Sequence, residues 1–524
     1  MRGLSLGQTF WQIGGLTVVS RIMGFIRDIA FAAFLGAGGA ADAFLVALKL
    51  PNMFRRMSAE GAMTNAFLPD YAAIREKYGQ AAALRLAAEA QIFLIVGLII
   101  LVTVAEIFMA ELVLLLAPGF STTPDRLSAA INLGRITMPY LPLISVVALW
   151  VAIANAHDNF KAGAAAPIIA NTFLIIGPCL IPVIASQLGM VRAMPIAIAL
   201  LFAGLAQLVF LYLTLAQFVS VPALIWPRLS DAGSKMWRKF LPAAAGAGVM
   251  QLNLLIDMIL ASLLPVGAIS WLYFADRVAQ LPLGIVGVAL GTALLPRLSA
   301  AEAAGQPGEV QESLSEAFVL AGFFVIPAVV GLVLCGRPIM QGLFVYGAFS
   351  DRDAMMAALA LAAYAFGLPG FVMIKILQTV FYATGHPGFV LKVSLITVVI
   401  NVSGSLILMP IFGHVGLALA TTISGTIGAA FMVFSLARQG RMSSAFLPMI
   451  SKITVATAIM GGTVMSLQFG LESFVDVAEA DITLPVVAYG SCTADPYVSS
   501  APAVSFTVTA EGASEVKFHS GGFG

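Results

Sequence analysis

The chain has 524 residues, 60% of them hydrophobic and only 10% charged, with a formal net charge of +1. Soluble domains carry about 25% charged residues, so a soluble enzyme or binding module is excluded and an integral membrane protein with many spans is expected. The near-neutral balance offers no basic arm for nucleic acid, and Cys179, Cys335 and Cys492 are too few and too scattered for a disulfide framework or a metal site.

A membrane span needs about 20 mostly apolar residues. That rule predicts helices at 13–35, 41–71, 90–117, 129–156, 165–187, 193–218, 241–264, 270–299, 315–335, 354–382, 388–410, 413–437 and 451–469. Arg21 interrupts the first apolar run, so the N-terminus does not read as a cleaved signal. The connections are too short to hold a soluble catalytic domain. Loops after even-numbered helices carry Arg75, Lys77 and Arg85, then Lys161, then Arg228, Lys235, Arg238 and Lys239, then Arg297, Lys392, Arg438, Arg441 and Lys452. Those after odd-numbered helices carry only Arg126, Arg192, Arg337 and Arg352. Positive loops stay inside, so the even-to-odd loops and the N-terminus are expected in the cytoplasm.

An internal repeat is also expected. Leu68-Pro69 recurs as Leu295-Pro296 and Pro142 as Pro369, both 227 residues on; Gly119-Phe120-Ser121 recurs as Ala348-Phe349-Ser350 after 229, and Leu50-Pro51 as Leu281-Pro282 after 231. Six helices separate the copies, so both share one orientation. The expected fold is therefore an all-α integral membrane protein with two six-helix lobes, 1–220 and 221–440, in a parallel repeat around a central cavity. An additional helix occupies 441–470. The tail, 471–524, is polar, with no run long enough to span, and reads as poorly ordered or weakly β.

The stretch from Gly14 to Tyr71 poses the functional question, because its two apolar helices carry charges. Arg21, Arg27 and Asp28 lie in the first; Asp42, Lys49, Arg55, Arg56 and Glu60 mark the second. Two arginines and an aspartate facing lipid would oppose insertion by about 8–10 kcal/mol, so these charges are expected to line a polar cavity. Arg21 and Asp28, seven apart, share a helical face, as do Asp42, Lys49 and Arg56. Gly24 and Pro51 are candidate hinges. Asp276 and Arg277 sit in the eighth helix, the repeat partner of the second, so arginines from both lobes can converge. Arginine suits bidentate phosphate contacts and stays charged; the expected ligand is an anion, a phosphate or pyrophosphate. Asp28, Asp42 and Asp276 would hold the arginines when the site is empty, and Lys49 is either a ligand or the partner of Asp42. Arg56 and Arg297, near helix ends, read as snorkelling residues. Gln251, Asn253 and Asp257 line the cavity or bond between helices. There is no Walker loop, zinc spacing or nucleophile elbow. No cofactor is expected, and transport would run on a gradient or on membrane potential.

The segments SRIMGFIRDIAFAAFLGAGGAADAFLVALKLPNMFRRMSAEGAMTNAFLPDY and WLYFADRVAQLPLGIVGVALGTALLPRLS closely resemble the signatures of the MurJ/MviN lipid II flippase family, of the multidrug/oligosaccharidyl-lipid/polysaccharide exporter superfamily. The likeness runs from about Gly14 to Gln439. It implies alternating access in the bacterial inner membrane and a substrate of undecaprenyl-pyrophosphate bearing a disaccharide-pentapeptide. It further implies membrane lipids and other cell-wall synthesis proteins as partners. By matching positions, Arg21, Arg27, Arg55 and Arg277 resemble the cavity arginines, Asp42 the family's important acidic position, and Ser20 and Lys49 further cavity positions. The family has fourteen helices, the last two forming a groove for the lipid tail; here the polar tail stands where the last would be. The rivals are a drug or cation antiporter on the same fold, and a membrane enzyme acting on polyprenyl-linked sugars.

Overall fold

The computed structural model of the chain describes residues 6–56, 66–180 and 192–481. All regular elements among them are helical. In order they are α1 (Leu6–Leu35), α2 (Gly39–Arg55), α3 (Leu68–Tyr78), α4 (Gln80–Ile107), α5 (Met109–Leu116), α6 (Pro124–Thr137), α7 (Tyr140–Ala156), α8 (Phe160–Leu180) and α9 (Met194–Leu215). Then follow α10 (Asp231–Ser262), α11 (Ala268–Pro282), α12 (Val288–Ala303), α13 (Pro307–Leu334), α14 (Gly336–Phe344), α15 (Asp351–Ala383), α16 (Pro387–Phe412), α17 (His414–Arg438) and α18 (Leu447–Asp481). Nine helices among the described residues are long and apolar enough to cross a membrane. Neither α1, with three charges in its centre, nor α2, 17 residues long, is in that set.

Several expected spans are subdivided. The fourth is interrupted at Met138-Pro139 between α6 and α7, where Pro139 supplies no N–H to the helical ladder although both residues keep helical backbone angles. Pro369, the repeat partner of Pro142, is carried within an unbroken α15. The third span ends in the short helix α5, and the short helix α14 follows directly after the ninth. The eighth continues through Pro282 into a π turn, Leu283–Gly287, and then α12; the missing proline donor relaxes the helical register there. Neither expected hinge interrupts its helix: α1 runs unbroken through Gly24 and α2 through Pro51, passing into a π turn only at Arg56. The polar tail was expected to begin at 471, but α18 continues to Asp481; Glu and Ala favour helix there and the next proline comes only at 485. The rest of the tail, and Glu60, lie outside the described residues.

The repeat is visible in the packing. One apolar core gathers Phe31, Phe44, Phe67, Tyr71, Met109, Leu133 and Leu211; another gathers Trp271, Phe274, Phe344, Phe349, Leu361 and Phe381. Helix α1 serves both, with Phe31 and Leu35 in the first and Ala32 in the second. Where α1 ends, the Ala33 carbonyl accepts a hydrogen bond from Ala348 N at 2.8 Å. Where α10 ends, Ser262 Oγ accepts one from Gly119 N at 3.2 Å. A shift of 229 residues turns Gly119 into Ala348 and Ala33 into Ser262, so the two joints exchange under the repeat. Likewise the helix-ending left-handed position is Asp158 (φ 60°) in one copy and Gly385 (φ 74°), 227 residues on, in the other. Both joints lie at one end of the bundle, here the closed end; the opposite end, carrying Arg75, Lys77, Arg85, Lys235 and Lys239, is the basic end.

Candidate functional site

About three-quarters of the way along α1, Asp28 is 2% exposed and receives groups from both lobes. Arg27 Nη2 and Nε donate to Asp28 Oδ1 at 2.7 and 3.1 Å. The Tyr273 hydroxyl donates to the same oxygen at 2.9 Å. Arg277 Nε lies 3.3 Å from Oδ2, an ion pair without hydrogen-bond alignment. The Arg277 guanidinium also stacks over the Tyr273 ring, 4.7 Å from its centroid, because residues four apart share a face of α11. Arg27 Nη1 donates to Asn171 Oδ1 at 3.0 Å, and Asn171 Nδ2 donates to the Ser20 carbonyl at 3.3 Å. Gly24 sits against the same amide: a Cβ there would stand 3.6 Å from Asn171 Nδ2. The side chain of Asp28 is 3% exposed, whereas those of Arg27 and Arg277 are 21% and 30% exposed. The carboxylate is thus shut away while both arginine side chains keep part of their surface exposed.

Toward the basic end, Arg21 Nη1 donates to the Gly284 carbonyl at 3.2 Å. Gly284 lies in the π turn after Pro282, so Arg21 also bridges the lobes. Lys49, partly buried, is within electrostatic reach of Arg56, Asp257, Asp276 and Arg277. Asp257 accepts from Asn401 Nδ2 at 2.7 Å, and Asn401 Oδ1 accepts from Thr421 Oγ1 at 3.3 Å. Asp276 accepts from Gln280 one turn on. Arg55 and Arg27 both act electrostatically on buried Tyr140, which places Arg55 toward the same interior.

Asp42 stands apart. It was expected among the cavity charges, opposite Lys49. Instead it lies in the first turn of α2 at the closed end, fully buried. Its Oδ2 accepts from Gly267 N at 2.8 Å, and its Oδ1 from Ser270 N and Oγ at 3.0 and 2.7 Å. These are the donors at the start of α11, where unpaired N–H groups and the helix dipole favour a carboxylate. Arg126 Nη1 lies 3.7 Å away, and Arg126 Nη2 donates to the Ser262 carbonyl at 3.4 Å. The acids within electrostatic reach of Lys49 are Asp257 on α10 and Asp276 on α11. Asn171 and Tyr273 were missed from the sequence: neutral polar residues do not stand out in apolar helices, although Tyr273 one turn before Arg277 was a signal available to find it. Among the described residues no group of three or more His, Cys, Asp or Glu could hold a metal.

Two helical lobes joined at one end, with guanidiniums from both drawn onto one buried carboxylate, define a polytopic membrane transporter. Solved structures share this fold. A chain described as lipid II flippase MurJ in an inward closed conformation superposes with TM-score 0.72 at 23% identity, covering 86% of this chain and 91% of that one. An inward-facing MATE-family multidrug transporter of the MOP superfamily gives 0.63 at 15% identity, covering 84% and 98%. The sequence goes further: the family described as Lipid II flippase MurJ matches residues 31–477. A probable lipid II flippase MurJ of Rhizobium meliloti is 33% identical over 488 residues, 92% of this chain and 91% of the relative. The lipid II flippase MurJ of Burkholderia cenocepacia is 30% identical over 465 residues, 88% and 89%. The chain belongs to the MurJ family of lipid II flippases.

Proposed function

We propose that this chain carries lipid II from the cytoplasmic to the periplasmic leaflet of the bacterial inner membrane, with its N-terminus and basic end in the cytoplasm. The observation that carries the reading is Asp28, held by Arg27 from one lobe and by Arg277 and Tyr273 from the other. In the empty site the carboxylate parks both guanidiniums. A pyrophosphate reaching the partly exposed side chains of Arg27 and Arg277 offers them a second anion in bidentate geometry. Arg21 on the route inward and Arg55 beside Tyr140 add to the binding. Lys49, balanced by Asp257 and Asp276, and Ser20, whose carbonyl fixes Asn171, support it. Lobes 1–220 and 221–440 then rock about the shared site. Asp42, on the donors of α11, holds the periplasmic side shut while the cavity faces the cytoplasm. The inside-negative potential helps expel the anion, by about 2.3 kcal/mol per charge per 100 mV. Cell-wall synthesis proteins that make and consume lipid II are the expected functional neighbours.

A drug or cation antiporter on the same fold would need acidic side chains open to its ligand, whereas Asp28 is closed over by guanidiniums. The test is leaflet accessibility of lipid II in vesicles containing only this protein. The wild type should equilibrate lipid II between leaflets, and Arg277→Ala should fall to the protein-free rate while remaining folded by melting temperature. Full activity of both Arg21→Ala and Arg277→Ala would remove the arginine site.

A further inference from the structure

A lysine that the anion site does not account for lies deep in α15. Lys375 is exposed, although α15 is long and apolar enough to cross a membrane and Lys375 is eight residues, about 12 Å, short of its basic end at Ala383. The helix has three distinguishable sides. Ala363, Gly367 and Gly370 face α17: the Ala363 carbonyl accepts from Thr422 Oγ1 at 2.7 Å, and a Cβ on Gly370 would stand 2.9 Å from Thr426 Cα. Met355, Leu359 and Phe366, 46%, 46% and 59% exposed, mark the lipid side. Lys375 shares neither direction. At 100° per residue it points about 180° from the mean of those three apolar residues, and within about 20° of Tyr364 and Tyr382. Tyr364 is within electrostatic reach of Asp276 and Asp257, which flank the cavity. The azimuth that meets these acids at the level of Tyr364 is therefore open at Lys375, eleven residues or about 16 Å closer to the basic end. The exposure is therefore on the side of α15 opposite its lipid-facing residues Met355, Leu359 and Phe366. The repeat offers no counterpart: 227 residues earlier stands Ala148.

Resting on the function proposed above, we infer that Lys375 is a capture cation at the cytoplasmic mouth of the cavity, meeting the diphosphate of the lipid substrate before Arg21, Arg27 and Arg277 do. A mouth cation steers an anionic headgroup inward and raises its association rate, an effect that salt screens. Because it lies outside the Asp28 cluster, it changes the rate of capture more than the strength of holding. The same ammonium could meet the phosphate of an ordinary anionic phospholipid, so the test separates the two.

Lys375→Gln, Lys375→Arg and Arg277→Ala are compared in nanodiscs of zwitterionic lipid, with lipid II association and dissociation followed at low and high salt. The expected result is roughly tenfold slower association for Lys375→Gln at low salt, with a flattened salt dependence, unchanged dissociation and recovery in Lys375→Arg; Arg277→Ala should dissociate much faster. In a cysteine-free background, Lys375→Cys should react with a water-soluble maleimide from the cytoplasmic side and Phe366→Cys should not. If Lys375→Gln associates like the wild type while Arg277→Ala loses hold of lipid II, the capture role is overturned and the flippase reading stands. If, with phosphatidylglycerol added to the same nanodiscs, Lys375→Gln loses phosphatidylglycerol binding while its lipid II association is unchanged, the capture role is likewise overturned. If Arg277→Ala also binds normally, both fall.

Discussion

At Asp28 the local electrostatics allow no neutral substitution. The carboxylate compensates Arg27 and Arg277 and accepts the Tyr273 hydroxyl. Removing one partner of a buried ion pair leaves uncompensated charge, at about 3–5 kcal/mol. Asp28→Asn should therefore lower the melting temperature by several degrees and abolish transport. Tyr273→Phe, which forfeits one hydrogen bond of about 1–1.5 kcal/mol but keeps the ring under Arg277, should retain partial transport. Vesicle assays on the pair decide the matter: if Asp28→Asn transports normally, the carboxylate does not park the arginines. Arg27, Asp28 and Arg277 were legible because charge in an apolar helix has few benign explanations. Asp42 was placed wrongly because a seven-residue spacing fixes a helical face but not the depth along the helix, nor the helix end that the face meets. Lys375 escaped notice because a single charge in a long helix shows no pattern without the azimuths of its neighbours.

Among the elements, the sequence marked every long helix but not its punctuation. Apolar length does not distinguish α4 from α5, and a proline in a helix can interrupt it, loosen it to a π turn or leave it whole, as Pro139, Pro282 and Pro369 respectively show. Tertiary packing selects among these outcomes. At the basic end the segment between α17 and α18 is fastened by a polar clamp. Arg441 Nη1 and Nη2 donate to Glu302 Oε2 and Oε1 at 2.7 and 2.8 Å, and Gln311 Nε2 donates to the Gly440 carbonyl at 2.6 Å. The hydrogen bonds from Arg441 hold the Glu302 carboxyl below the usual glutamate range. A depressed carboxyl contributes stability that is present above its unfolded-state pKa and lost as pH falls through its folded one. Hydrogen exchange at residues 439–446 should thus be protected at neutral pH and, after correction for intrinsic rates, lose protection on acidification below about pH 4.3. Glu302→Gln should show weak protection at every pH. Equal protection in both proteins across that range would mean that the clamp does not hold the segment.

For the molecule as a whole, the repeat means that both lobes contribute the same kind of joint to one end. Ala348 N on the Ala33 carbonyl and Gly119 N on Ser262 Oγ are related by the 229-residue shift, and Asp42 on Gly267 and Ser270 lies between them. The two neutral joints are individually weak, a net hydrogen bond being worth about 0.5–1.5 kcal/mol, and each bond to the Asp42 carboxylate is worth about 1.5–3 kcal/mol. Several together make a closed end that is stable yet reversible, as a carrier with two accessible states requires. The joints also demand bare backbone. Gly347 has φ 62°, and a Cβ on it would collide with the Ala33 carbonyl. Gly347→Ala should weaken closure and raise labelling of nearby cysteines by a water-soluble reagent applied at this end. The opposite intervention is Ala33→Cys combined with Ala348→Cys, which places two thiols across a joint that must part if the lobes rock. In a cysteine-free background, oxidation or a short thiol-reactive linker should stop lipid II movement in vesicles, and reductant or a cleavable linker should restore it. The single variants should transport throughout. If the cross-linked protein flips lipid II at the uncross-linked rate, this end never opens during transport, and the substrate leaves by a route that does not part the lobes here.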